Sequence, residues 1–142
     1  MNLIDYAKSF IGTRYQWGAN GGGAFDCSGF VQEVLASQGY DPIGDQTALD
    51  LYRHFKNNDL GNGSGIHKNS LLFFGGSVDR ITHVAMAIGN SLMIEAGGGG
   101  PRTETEDDAI RDNAMVRVRP ILSRSDLVAA IKIKDNKIYH EN

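Results

Sequence analysis

Residues 81–96 constrain the fold more than any other stretch. In Ile81-Thr-His-Val-Ala-Met-Ala-Ile-Gly89, Val84, Met86 and Ile88 alternate with His83, Ala85 and Ala87. A period of two is the mark of a strand. Gly89-Asn90 follows, a dipeptide suited to a tight turn, and Ser91-Leu-Met-Ile-Glu-Ala96 reads as a second strand ending in Gly97-Gly-Gly-Gly100. The pattern predicts an antiparallel hairpin turning at Gly89-Asn90, with His83 near Glu95 and Ala96. Ser70-Leu-Leu-Phe-Phe74 predicts a strand near 71–75. Met115-Val-Arg-Val-Arg-Pro-Ile121 and Ala129-Ala-Ile-Lys-Ile-Lys134 also alternate, the second predicted to close or edge the sheet.

The first half of the chain has helical spacing instead. Ile4, Ala7 and Ile11 share one face of a helix predicted over 2–11. A glycine-rich loop over 12–25 follows. Phe30, Val31, Val34 and Leu35 recur at spacings of three and four, which predicts a helix over 28–39 ended by Gly39. Another helix is expected over 45–56, capped by Thr47 or Asp45, with Leu49, Tyr52 and Phe55 inward. Residues 57–69 read as a polar, Gly-rich connection, and 104–113 as a short acidic helix. Leading helices followed by a run of strands predict an α+β fold, with N-terminal helices packed on a central antiparallel sheet. At 142 residues, 41% hydrophobic and 22% charged, with no repeat or linker, residues 1–142 are expected to form a single domain.

Charge and cysteine content narrow the function. The net charge of −3 offers no basis for nucleic-acid binding or for attraction to an anionic membrane. No apolar run approaches the roughly 18 residues of a membrane span. Met1 to Ile11 is amphipathic, without the basic and apolar regions of a secretory signal, so synthesis in the cytoplasm without a signal peptide is expected. Cys27 is the only cysteine, so no intramolecular disulfide forms, and folding in a reducing compartment is expected.

An isolated cysteine is ordinarily buried and inert. Cys27 departs from that pattern. Asp26 and Ser28 flank it, a Gly-rich loop precedes it, and it stands at or just before a predicted helix N-terminus, where backbone N–H groups favour a thiolate. A thiol nucleophile needs a base. Of the four histidines, His54, His67 and His140 lie in polar helix, loop and tail and read as solvated surface residues. His83 lies on a strand, with Glu95 as a cross-strand candidate to orient it.

Four blocks carry a resemblance to a known family. They are Gly12-Thr-Arg-Tyr15-Gln-Trp17-Gly18, Phe25-Asp-Cys27-Ser-Gly-Phe-Val31, Ser70-Leu-Leu-Phe-Phe74, and Thr82-His83-Val-Ala-Met-Ala-Ile-Gly89 running on to Met93-Ile-Glu95-Ala96. In order and spacing they resemble the NlpC-type (p-sixty) papain-like cysteine peptidases, from about residue 2 to about residue 96. The C-terminal third is outside the resemblance. Two departures stand out. Glu95 occupies a position where the family usually has His, Asn or Gln, and Asn69-Ser70 replaces a usual Gly-Asp. A carboxylate at Glu95 would raise the pKa of the base and favour a thiolate–imidazolium pair. The alternative is a solvent-facing strand residue.

The resemblance implies hydrolysis of peptidoglycan stem peptides between D-glutamate and the diamino acid, with Cys27 as nucleophile, His83 as base and Glu95 as its orienting partner. It implies no metal and no cofactor. Tyr15 is either a second oxyanion donor or a core tyrosine. Asp26 and Ser28 either contact the free amino end of the substrate or serve as the helix cap and a first-turn residue. Trp17 is either a cleft wall or a packed aromatic. Gly97 to Gly100 with Arg102 read as a mobile cleft rim or a solvated loop. The expected partner is the stem peptide. The expected setting is a phage lysin or virion-associated hydrolase acting on the wall after release, with virion structural proteins as further partners. An antibacterial effector with an immunity protein, a housekeeping remodelling enzyme and an inactive relative of the fold remain alternatives.

Overall fold

The computed structural model describes residues 2–16, 20–21, 24–57, 61–99, 102 and 104–134. Helix α1 (Leu3–Lys8) starts at the Asn2 cap and buries Leu3, Ile4 and Ala7. Three short strands follow: β1 (Arg14–Tyr15), β2 (Asn20–Gly21) and β3 (Ala24–Phe25). Helix α2 (Cys27–Ala36) and helix α3 (Ala48–Lys56) complete the helical half. Thr47 caps α3 in a reciprocal capping box with Asp50, which chooses Thr47 over Asp45 and starts the helix three residues later than its composition suggests.

The strands then come in sequence: β4 (Gly61–Ser64), β5 (Ser70–Gly75), β6 (Ile81–Ala87) and β7 (Leu92–Gly97). Helix α4 (Glu106–Asp112), capped by Thr105, leads into β8 (Met115–Pro120), a 3-10 turn at Ile121–Ser123, and β9 (Leu127–Ile133). Among the described residues the sheet order is β2-β3-β1-β8-β7-β6-β5-β9-β4. From β8 to β4 every pairing is antiparallel, and among the described residues the one parallel pair is β1 with β3. The fold is the predicted α+β arrangement of N-terminal helices on an antiparallel sheet. Two local expectations change. The polar stretch 57–69 contributes β4, whose Gly-rich sequence carries no apolar alternation because it lies at the sheet edge. That places β9 inside the sheet, between β5 and β4.

Both faces of the central strands are covered. On one face Leu71, Phe73, Val84, Met86 and Ile94 pack beneath Leu3, Phe30, Val34, Leu51 and Phe55 of the helices. On the other, Leu72, Phe74, Ala85, Ala87 and Met93 gather with Ile121. Two-sided burial explains why Ser70–Phe74 reads as a continuous apolar run rather than an alternating one.

The hairpin register departs from expectation, with consequences for the site. A two-residue turn at Gly89-Asn90 would pair Ile88 with Ser91 and, by extension, His83 with Ala96. The observed pairs are Met86 with Ile94 and Ala87 with Met93, closed by Ile88 N–H donating to Leu92 O at 3.0 Å. The longer connection slips the register by one residue. Because side chains alternate, that slip moves Glu95 onto the same face as His83 and sends Ala96 to the helix side.

Candidate active site

Cys27 is the first residue of α2. The preceding Asp26 is extended (φ −89°, ψ −176°), and its carboxylate accepts from the Gly29 N–H at 2.7 Å. Ser28 Oγ donates to Asp26 Oδ1 at 3.3 Å. Capping fixes the chain direction at the helix start and leaves the Cys27 N–H among the unpaired donors of the first turn. The thiol is half-buried, with Sγ 4.0 Å from the Thr82 carbonyl oxygen, and it lines the same cavity as the His83 imidazole.

His83 projects from β6 on the face away from the helices. Its Nε2 is 2.8 Å from Glu95 Oε1. A carboxylate only accepts, so Nε2 carries the proton, and Nδ1 is the nitrogen left for the thiol. The ring of Phe74, paired with His83 on β5, lies 5.6 Å from the imidazole at 45°. Burial disfavours a charged His83, but hydrogen bonds to Cys27 and Glu95, and their charges, override it and raise the pKa to about 9. These contacts therefore favour the imidazolium form.

Glu95 is 2% exposed, and its other oxygen is occupied too. Arg117, its cross-strand partner on β8, donates from Nε to Oε2 at 3.2 Å, and Arg119 Nη1 stands 4.0 Å from the same atom. Burial alone would push this carboxyl up. The His83 hydrogen bond and charge, with Arg117, instead hold it below the ordinary value. Glu95 is thus the orienting partner of His83 in geometry, not a solvent-facing strand residue.

The glycines after Glu95 have a different purpose from the one their composition suggests. A Cβ on Gly97 would stand 2.5 Å from Glu95 Oε2, one on Gly98 (φ +86°) 3.0 Å from Arg117 Nη1, and one on Gly99 would drive into the Tyr15 ring. These positions are glycine because the carboxylate, guanidinium and phenol lie directly against the backbone. Gly97 is the last residue of β7, and Gly98 and Gly99 lie just beyond the strand.

Two cavities meet at Cys27. One, of about 430 Å³, is lined by Cys27, His83, Glu95, Arg117, Arg119 and Arg124, with Tyr15 and Gly97 to Gly99 at its margin. The other, of about 270 Å³, runs toward α3 and takes in Asp26, Ser28, Asp45, Gln46 and Thr47. Tyr15, Cys27 and Thr82 belong to both. Tyr15 is at once a core residue, 4% exposed, and a cleft residue. Burial, with Cys27 and Asp26 nearby, pushes its phenol well above the ordinary value, so the hydroxyl keeps its proton and can donate. Asp26 and Ser28 form the cap and also line the second cavity. Trp17, Gly100 and His140 lie outside the described residues. His67 is exposed, whereas His54 is half-buried with its ring edge-on to Phe55.

Sequence reasoning missed two contributions. Arg117 and Arg119 are visible only as the polar half of the alternation in Met115–Pro120, and they reach the site because β8 pairs with β7. Arg102, read as part of either a cleft rim or a solvated loop, is exposed and lines neither of the two cavities. Gln32, 5% exposed in α2, uses its whole amide on the 41–46 segment. Nε2 donates to Asp41 Oδ1 and Gly44 O, and Oε1 accepts from Gln46 N, each at 2.9 Å. It fixes the loop that brings Asp45 and Gln46 to the second cavity. Among the described residues no group of three or more His, Cys, Asp or Glu side chains is placed to hold a metal ion, and no helix is long and apolar enough to cross a membrane.

Comparison with known proteins shows which chains this one is similar to. A gamma-D-glutamyl-L-lysine dipeptidyl-peptidase of Bacillus cereus is 31% identical over 111 residues, covering 77% of this chain and 31% of that protein. A probable endopeptidase p60 of Listeria grayi is 35% identical over 99 residues, covering 69% of this chain and 18% of that protein. The chain therefore spans about a third or less of these relatives' length. The solved structure of an NlpC/P60 family protein from Bacillus cereus superposes with a TM-score of 0.66 at 25% identity, over 92% of this chain and 39% of that one. The family model for the NlpC/P60 family matches residues 12–119, well over half of the sequence, and the chain belongs to that family.

Proposed function

We propose that this protein is a cysteine peptidase that hydrolyses an amide of peptidoglycan stem peptides, between D-glutamate and the diamino acid. One observation carries the reading: Cys27 begins a helix at a cavity that it shares with an imidazole held by Glu95 at 2.8 Å. The names of the relatives, a gamma-D-glutamyl-L-lysine dipeptidyl-peptidase and probable endopeptidases, support the substrate class. In this reading the Cys27 thiolate attacks the scissile carbonyl and the His83 imidazolium protonates the departing amine, leaving a thioester. Neutral His83 then takes a proton from water, which attacks the thioester and frees Cys27. In this reading the Cys27 N–H and the Tyr15 hydroxyl donate to the oxyanion. The setting we propose is the cell wall, reached by phage lysis or from a virion. Delivery as an antibacterial effector is the alternative, and only that setting requires an immunity protein in the producing cell.

Digestion of purified peptidoglycan is expected to release peptides with a new amino end at the diamino acid, leaving glycan strands whole. Mass analysis of the fragments reads this directly. Cut glycan, or a new end at L-alanine, would overturn the bond assignment.

Glu95 admits a sharper test. Its two oxygens accept from opposite sides, from His83 and from Arg117. Glutamine fits the space but offers only one accepting atom. Turned toward Arg117, its amide N–H₂ faces Nε2 and selects the tautomer with the proton on the wrong nitrogen. Turned toward His83, it sets donor against donor at Arg117. Glu95→Gln is therefore expected to fold and to lose about 10²-fold or more in kcat/KM, within the range for a general acid–base group. Without the carboxylate the imidazolium gives up its proton more easily, so the alkaline limb of the rate profile should move to lower pH. Glu95→Ala should also destabilise the fold by about 3–5 kcal/mol, because it leaves buried cations unpaired. Wild-type turnover with an unmoved profile in Glu95→Gln would remove Glu95 from the mechanism.

A further inference from the structure

The larger cavity beside Cys27 carries three guanidinium groups, and they differ in commitment. Arg117 holds Glu95 at 3.2 Å. Arg124 is clasped by Asp126 through two bonds of 2.9 and 2.8 Å and lies over the Phe74 ring at 5.0 Å. Arg119 is the loosest. Among the described residues its nearest carboxylate oxygen is 4.0 Å away, beyond hydrogen-bond distance, and its side chain is 39% exposed. Glu95 and Asp126 face these three cations and the His83 imidazolium, so this wall keeps net positive charge. Across Cys27 the sign reverses, because Asp26 and Asp45 line the other cavity. The cleft is thus polarised about the nucleophile, with an ammonium-favouring pocket on one side and an anion-favouring one on the other.

We infer that the arginine-lined cavity is a carboxylate subsite, in which Arg119 reads a free carboxylate carried next to the scissile amide. The inference rests on the proposed function and adds a charge requirement to it. Guanidinium N–H groups present a planar fork that matches a carboxylate, and Arg119 stands beyond hydrogen-bond distance of Glu95 whereas Arg117 is bonded to Glu95 and Arg124 to Asp126. A stem peptide lying across Cys27 with its amino end in the acidic cavity brings its carboxyl-bearing side here. Two carboxylates adjoin the bond in such a peptide: the α-carboxylate of D-glutamate, and the distal carboxylate of diaminopimelate where that replaces lysine. Their chemistry is the same, and substrate choice distinguishes them.

The test is a matrix of synthetic stem peptides that carry D-glutamate or D-isoglutamine, followed by meso-diaminopimelate or L-lysine. Wild-type kcat/KM is expected to fall about tenfold to a hundredfold when the recognised carboxylate is absent, the usual range for a hydrogen bond to a charged group. Which substitution produces the fall identifies which carboxylate is read. In Arg119→Gln the ratio between charged and neutral substrates should collapse toward one, and in Arg119→Lys part of it should survive. Because both readouts are ratios, partial misfolding does not imitate them. Equal cleavage of the whole series by wild type, or an unchanged ratio in Arg119→Gln, overturns the subsite while leaving the peptidase reading in place. Failure to cleave any member overturns the peptidase reading, and the subsite with it.

Discussion

Cys27→Ala is expected to abolish amide hydrolysis, a loss of about 10⁴-fold or more, in a protein that folds as wild type does. Both halves follow from where the sulfur sits. Cys27 is only half-buried, and its contact with the Thr82 carbonyl is long, at 4.0 Å. Deleting one sulfur at the first position of a helix whose cap is Asp26 should cost about 1 kcal/mol. The chemistry has no substitute, because the chain holds no other thiol. The variant also carries an internal reporter. Cys27 supplies the largest of the contributions that raise the His83 pKa, so the imidazole of Cys27→Ala should titrate well below about 9 in an NMR pH series. Retained wall degradation by folded Cys27→Ala would reject the cysteine-peptidase reading. An unmoved His83 titration would show that the thiol and imidazole are not in contact.

Much of this site was legible in the sequence, for physical reasons. Cys27 announced itself by its polar neighbours and by the apolar spacing of Phe30, Val31, Val34 and Leu35 behind it, since a helix start is written in local chemistry. His83 was legible because strand alternation is local too. Glu95 is only partly legible. A tight turn at Gly89-Asn90 would have set Ala96 beside His83, and the observed slip of one residue is what delivers Glu95. Turn length is decided by how β6 and β7 pack with their neighbours, which no window around Gly89 contains.

The arginines show the same limit more plainly. Arg117 and Arg119 lie beyond the motif blocks that the sequence offers, on a strand whose alternation is clear but whose neighbour is not. Pairing of β8 with β7 is a long-range event, and it turns two polar positions into the clasp and wall of the site. Glycines 97–99 illustrate the opposite error. Their composition reads as flexibility, whereas their role is to let Glu95, Arg117 and Tyr15 approach the backbone. Glu95 and Arg117 therefore belong together: a carboxylate in place of the family's usual acceptor is tolerated at 2% exposure because a cation stands opposite it.

His83→Ala should remove hydrolysis and fast alkylation of the thiol together. Loss of a general acid–base group typically costs about 10²–10⁴-fold, and here the same group also supplies the cation beside the nucleophile. An ordinary thiol, with a pKa of about 8.5, is almost wholly protonated at about pH 6, so rapid labelling by iodoacetamide there reports activation by a neighbour. Wild type should label rapidly and His83→Ala slowly, with His83→Gln as a control that refills the space. The fold should survive, because Glu95 keeps Arg117. Stability supplies a second signature. The folded-state pKa of His83 is raised to about 9 from an ordinary 6.5, so the native state binds the extra proton between those values. The stabilisation is complete below the lower value and is lost as pH rises through the upper one. Denaturant melts of wild type should weaken across that window, and those of His83→Ala should lack this decline. Unchanged labelling at about pH 6 in the folded variant would mean that another group activates Cys27, and that the 2.8 Å bond between His83 and Glu95 serves the sheet and not the chemistry.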